Sequence, residues 1–160
     1  MDETPLKGEL PAPHAARLAA AKAHAVAERH PGCFILAADT VVACGRRILP
    51  KAEDERTARK CLSLLSGRRH RVHGGVALLG PDGVLRSRLV TTTVIFKCLD
   101  KTEEAAYLAS GEWQGKAGGY AIQGLAAAYV RQIGGSYSNV VGLPLFETAQ
   151  LLKGVGIHGL

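Results

Sequence analysis

Asp39 is the residue whose surroundings most strongly suggest chemistry. It lies in an apolar run from Cys33 to Ala43, where its neighbour Thr40 is the other polar side chain. A carboxylate at such a position has a large desolvation cost unless a cation, a metal ion or hydrogen-bond donors compensate it. Asp39 is therefore either a structural aspartate satisfied by backbone N–H groups at a bulge, or a metal ligand or general base beside a phosphate.

Lys51 is a second candidate, because it follows Pro50 directly after a short apolar strand at Ile48 and Leu49. A hairpin that brings this lysine near Asp39 would let it pair with the carboxylate or hold a phosphate. The alternative is a solvated lysine ahead of a helix. The residues alone leave both interpretations open.

Three further patterns are incomplete. The glycine-rich segment 115–124 departs from the phosphate-loop pattern at Ser110 and Ala117, so it is either a turn cluster or a loop that brings backbone N–H groups to a ligand. Segment 134–138 lacks the last glycine of a nucleophile elbow. His70 and His73, with Cys61 upstream, lack a second ligand pair for zinc, and we expect them at the surface.

An α/β or α+β fold must position these residues. Apolar periodicity and capping residues predict helices at His14–Arg29, Glu53–Ser66, Asp100–Ser110 and Leu143–Leu152. Apolar and β-branched runs predict strands at Phe34–Ala43 (buried on both faces), Ile48–Leu49, Val72–Leu79, Val84–Leu99, Tyr120–Ile122 and Ala126–Ile133. Because these elements alternate irregularly and include hairpins, we expect one domain over residues 1–160, with a mixed central sheet and flanking helices.

Composition and charge exclude several classes of protein. The 160 residues are 47% hydrophobic and 21% charged, which is typical of a globular chain and not of a disordered one. No apolar stretch approaches the roughly 18 residues of a membrane span, and the acidic N-terminus has no apolar signal segment, so we expect a soluble, cytoplasmic protein. The net charge of +6 favours a polyanionic partner. Because the basic residues are dispersed, that partner is expected to be a small anion and not a nucleic acid polymer.

Short segments along the chain form an ordered pattern. They are Asp2–Pro5, Ala19–Ala23, Ala37–Val42, Leu64–Gly67, Lys116–Gly124 and Ser136–Leu145. Together they resemble the Maf family of nucleoside triphosphate pyrophosphatases over essentially the whole chain. The resemblance implies an architecture like that of inosine triphosphatase. It also implies hydrolysis between the α- and β-phosphates, which gives a nucleoside monophosphate and pyrophosphate with Mg²⁺ or Mn²⁺ as the cofactor.

The resemblance also implies roles for single residues near the reacting phosphate. Asp39 matches the family's proton acceptor, within an Ala-Asp-Thr motif. Glu3 and Asp39 match the carboxylates of the metal site, and Lys51 matches a basic catalytic position. A divalent ion would explain how Asp39 stays ionised in an apolar strand.

Substrate-binding roles are implied for Lys22, Thr40 and Gln123. Lys22 matches a lysine of the phosphate site, and the other two match positions tied to base selection. Thr40 and Gln123 resemble the residues found at these positions in the branch of the Maf family that acts on dTTP and UTP. Pro50 stands where the family has glycine, which we interpret as a variation within a subgroup.

The resemblance also defines what is expected to be missing and what else the protein could be. Family members begin with a strand and a Ser-Pro-Arg-Arg loop that grips the phosphates, and this chain starts beyond that segment, so we expect an N-terminally shortened member. Two alternatives to the enzyme are a non-catalytic nucleotide-binding protein and a septum-regulating homologue that acts through a partner. The expected partner is a nucleoside triphosphate, without a membrane, and a homodimer is left open.

Overall fold

A computed structural model describes residues 1–159. Its central sheet has five strands in the order β2-β1-β3-β4-β5. The elements in chain order are α1 (Pro11–Ala27), β1 (Ile35–Cys44), β2 (Arg47–Leu49), α2 (Glu55–Leu65), β3 (Arg69–Leu79), β4 (Leu85–Phe96), α3 (Lys101–Ser110), a 3₁₀ helix (Leu125–Tyr129), β5 (Val130–Gly134), α4 (Tyr137–Val141) and α5 (Leu145–Gly154). The predicted α/β class, with a central sheet and flanking helices, is confirmed. Within residues 1–159 no helix combines the length and the apolarity needed to cross a bilayer.

The sheet differs from the mixed sheet that the element order suggested, because its four strand pairings are all antiparallel. Short turns join β1 to β2 and β3 to β4, and strands joined by such turns pair in opposite directions. Strands β2 and β3, which flank α2 in the chain, run in the same direction. They are not neighbours, however, since β1 lies between them.

Helix α1 packs closely on β1 and β3 because the contacting residues are small. Ala15, Ala19 and Ala23 are buried on its inner face. A Cβ atom added at Gly75 of β3 would lie only 2.5 Å from the carbonyl oxygen of Ala15. The absence of a side chain at Gly75 therefore sets how near the helix backbone comes to the sheet.

The main core lies on the opposite face of the sheet, where α2, α3 and the segment 113–129 pack. Helix α2 begins at Glu55, two residues later than predicted, because the side chain of Asp54 caps it by accepting a hydrogen bond from the Thr57 amide. Helix α3 has a reciprocal capping box between Asp100 and Glu103 and ends at Gly111 in the left-handed conformation. The predictions for these two helices are confirmed to within two residues at each end.

Several predicted strands are wrong or altered. Tyr120–Ile122 is irregular backbone that leads into a turn at residues 122–124, and Ala126–Ile133 divides into the 3₁₀ helix and β5. The apolar side chains there enter the core from irregular backbone, so burial and not a strand explains their hydrophobicity. The prediction that β1 is buried on both faces holds for its second half, whereas Leu36 in its first half is 40% exposed.

The expectation that His70 and His73 lie at the surface is also wrong. His73 is buried and its Nδ1 lies 2.9 Å from the hydroxyl of Thr91. His70 is 1% exposed, and its Nε2 lies 2.6 Å from the Tyr120 hydroxyl. Burial lowers the pKa of His70 from its ordinary 6.5 to about 4, because the charged imidazolium would lose its hydration.

The depressed pKa of His70 predicts how stability depends on pH. Between pH 6.5 and about 4 the unfolded chain takes up a proton at this histidine and the folded protein does not. The free energy of unfolding should therefore fall by about 2–3 kcal/mol at this site as the pH is lowered from 7 to 4.5. Urea denaturation at both pH values should show this loss in the parent protein and a smaller one in His70→Gln. His24→Gln, an exposed position on α1, is the matched control, and equal pH dependence in all three proteins would contradict the prediction.

Candidate active site

The buried carboxylate of Asp39 pairs with a lysine from α1. Asp39 lies on the face of β1 that α1 covers and is 6% exposed. The Nζ atom of Lys22 donates a hydrogen bond of 2.6 Å to its Oδ1 atom. The close packing of α1 on the sheet thus brings a cation to the carboxylate. This cation is one of the groups that can offset the desolvation cost of a buried carboxylate.

Glu3 extends this pair into a chain of alternating charges. Its Oε1 lies 2.8 Å from Lys22 Nζ, and its Oε2 accepts a hydrogen bond of 2.9 Å from Lys51 Nζ. These two hydrogen bonds lower the pKa of Glu3 to about 2. Burial alone would lower the pKa of Lys22, but its hydrogen bonds to Asp39 and Glu3 outweigh burial and raise it. Glu3 and Lys22 are therefore both charged at neutral pH.

Lys51 reaches this charge network because of the β1–β2 hairpin. Leu49, near the end of β2, pairs with Val42 of β1, and the chain then continues through Pro50 to Lys51. Lys51 also forms a single antiparallel bridge with Ala117, in the glycine-rich segment. The expected proximity to Asp39 is indirect, since Lys51 pairs with Glu3, Glu3 with Lys22, and Lys22 with Asp39.

Two adjoining cavities open beside the network. The first, of about 270 Å³, is lined by Asp39 and Thr40 and by the other predicted residues Lys22, Lys51 and Gln123. The second, of about 310 Å³, is lined by Glu3 and shares Asp39, Thr40 and Lys51 with the first. The structure thus gathers all six predicted site residues at one place, although they come from distant parts of the chain.

The wall of the first cavity includes residues that sequence reasoning missed. Five are apolar or aromatic, and one is a lysine: Val72, Tyr120, Ile122, Val140, Val141 and Lys116. The sequence indicated these residues in part, because most of them belong to the segments Lys116–Gly124 and Ser136–Leu145 that carry the family resemblance. Sequence patterns alone did not reveal which of those side chains would face the cavity.

Gln123 is exposed at the cavity because its neighbours are anchored in the core. Tyr120 and Ile122 are buried, and the Gly124 amide closes a turn on the carbonyl oxygen of Ala121 at 3.2 Å. The turn leaves the amide side chain of Gln123 free to approach a ligand. An amide can both donate and accept, so it can recognise a base edge that carries both functions.

Asn139 fixes the short helix α4 against the sheet. It is fully buried, and its Nδ2 donates to the carbonyl oxygens of Val72 and Val90 at 3.1 and 3.2 Å. Its Oδ1 occupies the space above Gly74, where any Cβ would clash with it. This docking holds the neighbouring Val140 in the cavity wall.

The carboxylates fit a metal ion that arrives with a phosphate ligand. Within residues 1–159 no cluster of three or more acidic, histidine or cysteine side chains could hold a metal by itself. Mg²⁺, however, is usually bound by one or two carboxylates together with substrate phosphates and water. Asp39 and Glu3, both hydrogen-bonded to Lys22, could supply two such oxygen ligands.

Comparison with known proteins identifies the family of this chain. Residues 1–155 match a family described as Maf-like protein. The chain belongs to the Maf family. It is 76% identical over 156 residues to a dTTP/UTP pyrophosphatase of Paramagnetospirillum magneticum. The aligned region covers 98% of this chain and 82% of that protein.

Two other members of the family carry the same description. The dTTP/UTP pyrophosphatase of Rhodospirillum rubrum is 64% identical over 98% of this chain and 74% of its own length. That of Novosphingobium aromaticivorans is 60% identical over 98% of this chain and 78% of its own length. The Maf family predicted from the sequence is therefore confirmed.

Proposed function

We propose that the protein hydrolyses nucleoside triphosphates, dTTP and UTP among them, to the monophosphate and pyrophosphate. The observation that carries this proposal is the charge network of Asp39, Lys22, Glu3 and Lys51 at the cavity that Gln123 also lines. A buried carboxylate beside two lysines suits a water-activating base next to a polyphosphate. The descriptions of the relatives as dTTP/UTP pyrophosphatases support this chemistry.

In the proposed reaction a water oxygen attacks the α-phosphorus. Asp39 accepts a proton from that water as the new P–O bond forms. The bond between the α-phosphorus and the oxygen bridging to the β-phosphorus breaks, and its electron pair leaves with pyrophosphate. Asp39 has an oxygen for this task, because Lys22 engages Oδ1 and, within residues 1–159, Oδ2 has no hydrogen-bond partner.

Lys22 and Lys51 bind and orient the phosphates in this proposal. Both line the cavity, and both hydrogen-bond Glu3 in the free protein. Ammonium groups held in fixed positions stabilise the negative charge that develops on the phosphate oxygens without further reorganisation. Glu3 in turn keeps the two lysines in place when the cavity holds no nucleotide.

Asp39 and Glu3 are the residues that would hold a divalent cation, Mg²⁺ or Mn²⁺. When bound, such an ion neutralises phosphate charge and polarises the phosphorus–oxygen bonds. The same two carboxylates would otherwise repel the triphosphate. Their position therefore favours a nucleotide that brings its own cation.

Thr40 and Gln123 are proposed to select the base. A hydroxyl and an amide can together meet the carbonyl and imide edge of a pyrimidine. The apolar wall that includes Val72 and Val140 supplies a surface for the ring.

We further propose that the protein is a single domain and that it acts in the cytoplasm, where nucleotides are made and used. A homodimer stays a prediction.

The first test is the identity of the products and the need for Asp39. With Mg²⁺ or Mn²⁺, dTTP or UTP should yield pyrophosphate and the monophosphate, measured by ion-exchange chromatography. Asp39→Asn keeps the size but removes the base, so kcat should fall by about 10²–10⁴ with the circular dichroism spectrum retained. Asp82→Asn, in the exposed β3–β4 turn, is the control with unchanged kcat.

Two outcomes would contradict the proposal. Orthophosphate as the main product would place cleavage at the γ-phosphate. Near-parent turnover by Asp39→Asn at saturating metal would remove Asp39 from the mechanism. Binding of dTTP or UTP without turnover by the parent protein would instead match the non-catalytic nucleotide-binding alternative.

Base preference provides a second test. Gln123→Ala removes the amide that would read the base edge, and about a tenfold or greater loss in kcat/KM for dTTP and UTP relative to dATP and GTP is expected. Gln150→Ala, an exposed position on α5, should leave the ratio unchanged. The ratio of kcat/KM values across the four nucleotides is the measurement, and an unchanged ratio in Gln123→Ala would place base selection elsewhere.

A further inference from the structure

Most of the backbone of the glycine-rich segment 115–119 is already committed to the protein. Its amides could have formed an anion cradle, but four of the five donate to carbonyl oxygens of the protein at 2.8–3.1 Å. These bonds run from Gly115 to Ala52, from Lys116 to Trp113, from Gly118 to Pro50 and from Gly119 to Lys116. A committed N–H group is not available to a phosphate. The charged group that the segment offers the cavity is the side chain of Lys116.

The same hydrogen bonds tie the segment to the strand end that carries Lys51. The Ala52 amide donates to the Lys116 carbonyl oxygen at 3.1 Å, and Lys51 pairs with Ala117 in a β-bridge. The backbone of Lys116 is thus fixed beside that of Lys51. Its side chain is exposed and lines the first cavity together with Lys22 and Lys51.

Lys116 differs from the other two lysines in its charge balance. Lys22 is compensated by Asp39 and Glu3, and Lys51 by Glu3. Within residues 1–159 Lys116 forms no ion pair, so the cavity carries one positive charge that no carboxylate balances. An exposed ammonium that the fold fixes at a cavity, without an acidic partner, is suited to an anionic group of a ligand.

We propose that Lys116 binds the β- and γ-phosphates, the part of the substrate that leaves as pyrophosphate. This inference rests on the proposed function. If Asp39 faces the α-phosphorus, the remaining phosphates extend along Lys22 and Lys51 towards the loop of Lys116. Pyrophosphate carries more negative charge than the monophosphate, so the uncompensated lysine selects triphosphates over monophosphates.

The test compares the binding of the two products to the parent protein and to Lys116→Gln. Isothermal titration calorimetry with magnesium pyrophosphate should show Kd raised about 10-fold or more by the loss of one charge-assisted hydrogen bond. The Kd of dTMP should change less than twofold. In turnover of dTTP, KM should rise by a similar factor while kcat stays within about threefold. Lys153→Gln, at an exposed position on α5, is the matched control, and Lys116→Arg should retain most of the pyrophosphate affinity.

The outcomes separate this inference from the proposed function. An unchanged Kd for magnesium pyrophosphate in folded Lys116→Gln overturns the inference, as does an equal weakening of dTMP and pyrophosphate. The parent protein's turnover of dTTP is measured in the same series. Absence of that turnover counts against the proposed function, whereas turnover with unaltered pyrophosphate binding in Lys116→Gln leaves the function standing and removes Lys116 from it.

Discussion

The ion pair between Lys22 and Asp39 is the interaction on which the rest of the site depends. A carboxylate that is 6% exposed in an apolar strand would be strongly destabilising without a partner. The lysine that compensates it comes from α1, and α1 can deliver it because Gly75 lets the helix backbone approach the sheet. The buried carboxylate on β1 therefore obtains its cation because a glycine on the neighbouring strand β3 leaves room for α1 to pack closely.

The alternating charges around this pair also explain how the cavity can accept a highly charged ligand. Lys22 and Lys51 each hydrogen-bond Glu3, so the lysines are held in position before a ligand arrives. The metal–nucleotide complex that we propose as the ligand would bring both signs of charge, phosphate for the lysines and a cation for the carboxylates. Exchange of one set of ion pairs for another limits the desolvation cost of binding.

Sequence reasoning located the site residues better than it located the backbone that carries them. Asp39 was identifiable because a charged residue in an apolar run requires an explanation. Helices α2 and α3 were predictable because their capping residues are local sequence signals. The family resemblance supplied Glu3 and Gln123, which no periodicity marks. The structure gathers these residues at one place, while their roles stay predictions.

What could not be predicted depends on contacts distant in the chain. His70 is buried because Tyr120, 50 residues later, supplies a hydrogen-bond partner. The segment 120–122 resembles a strand in composition because Tyr120 and Ile122 are buried, although its backbone is irregular. The amides of segment 115–119 are occupied by the chain around Lys51, a pairing that no local pattern indicates.

A double-mutant cycle on Lys22 and Asp39 tests the central claim most directly. The free energies of unfolding of the parent protein, Lys22→Met, Asp39→Asn and the double variant are measured by urea denaturation at pH 7. Because the cycle isolates the pairwise interaction from the contacts of Lys22 with Glu3, the account predicts a favourable coupling of about 2 kcal/mol. Additive effects, with a coupling below about 0.5 kcal/mol, would contradict the claim that this pair holds the carboxylate in the apolar strand.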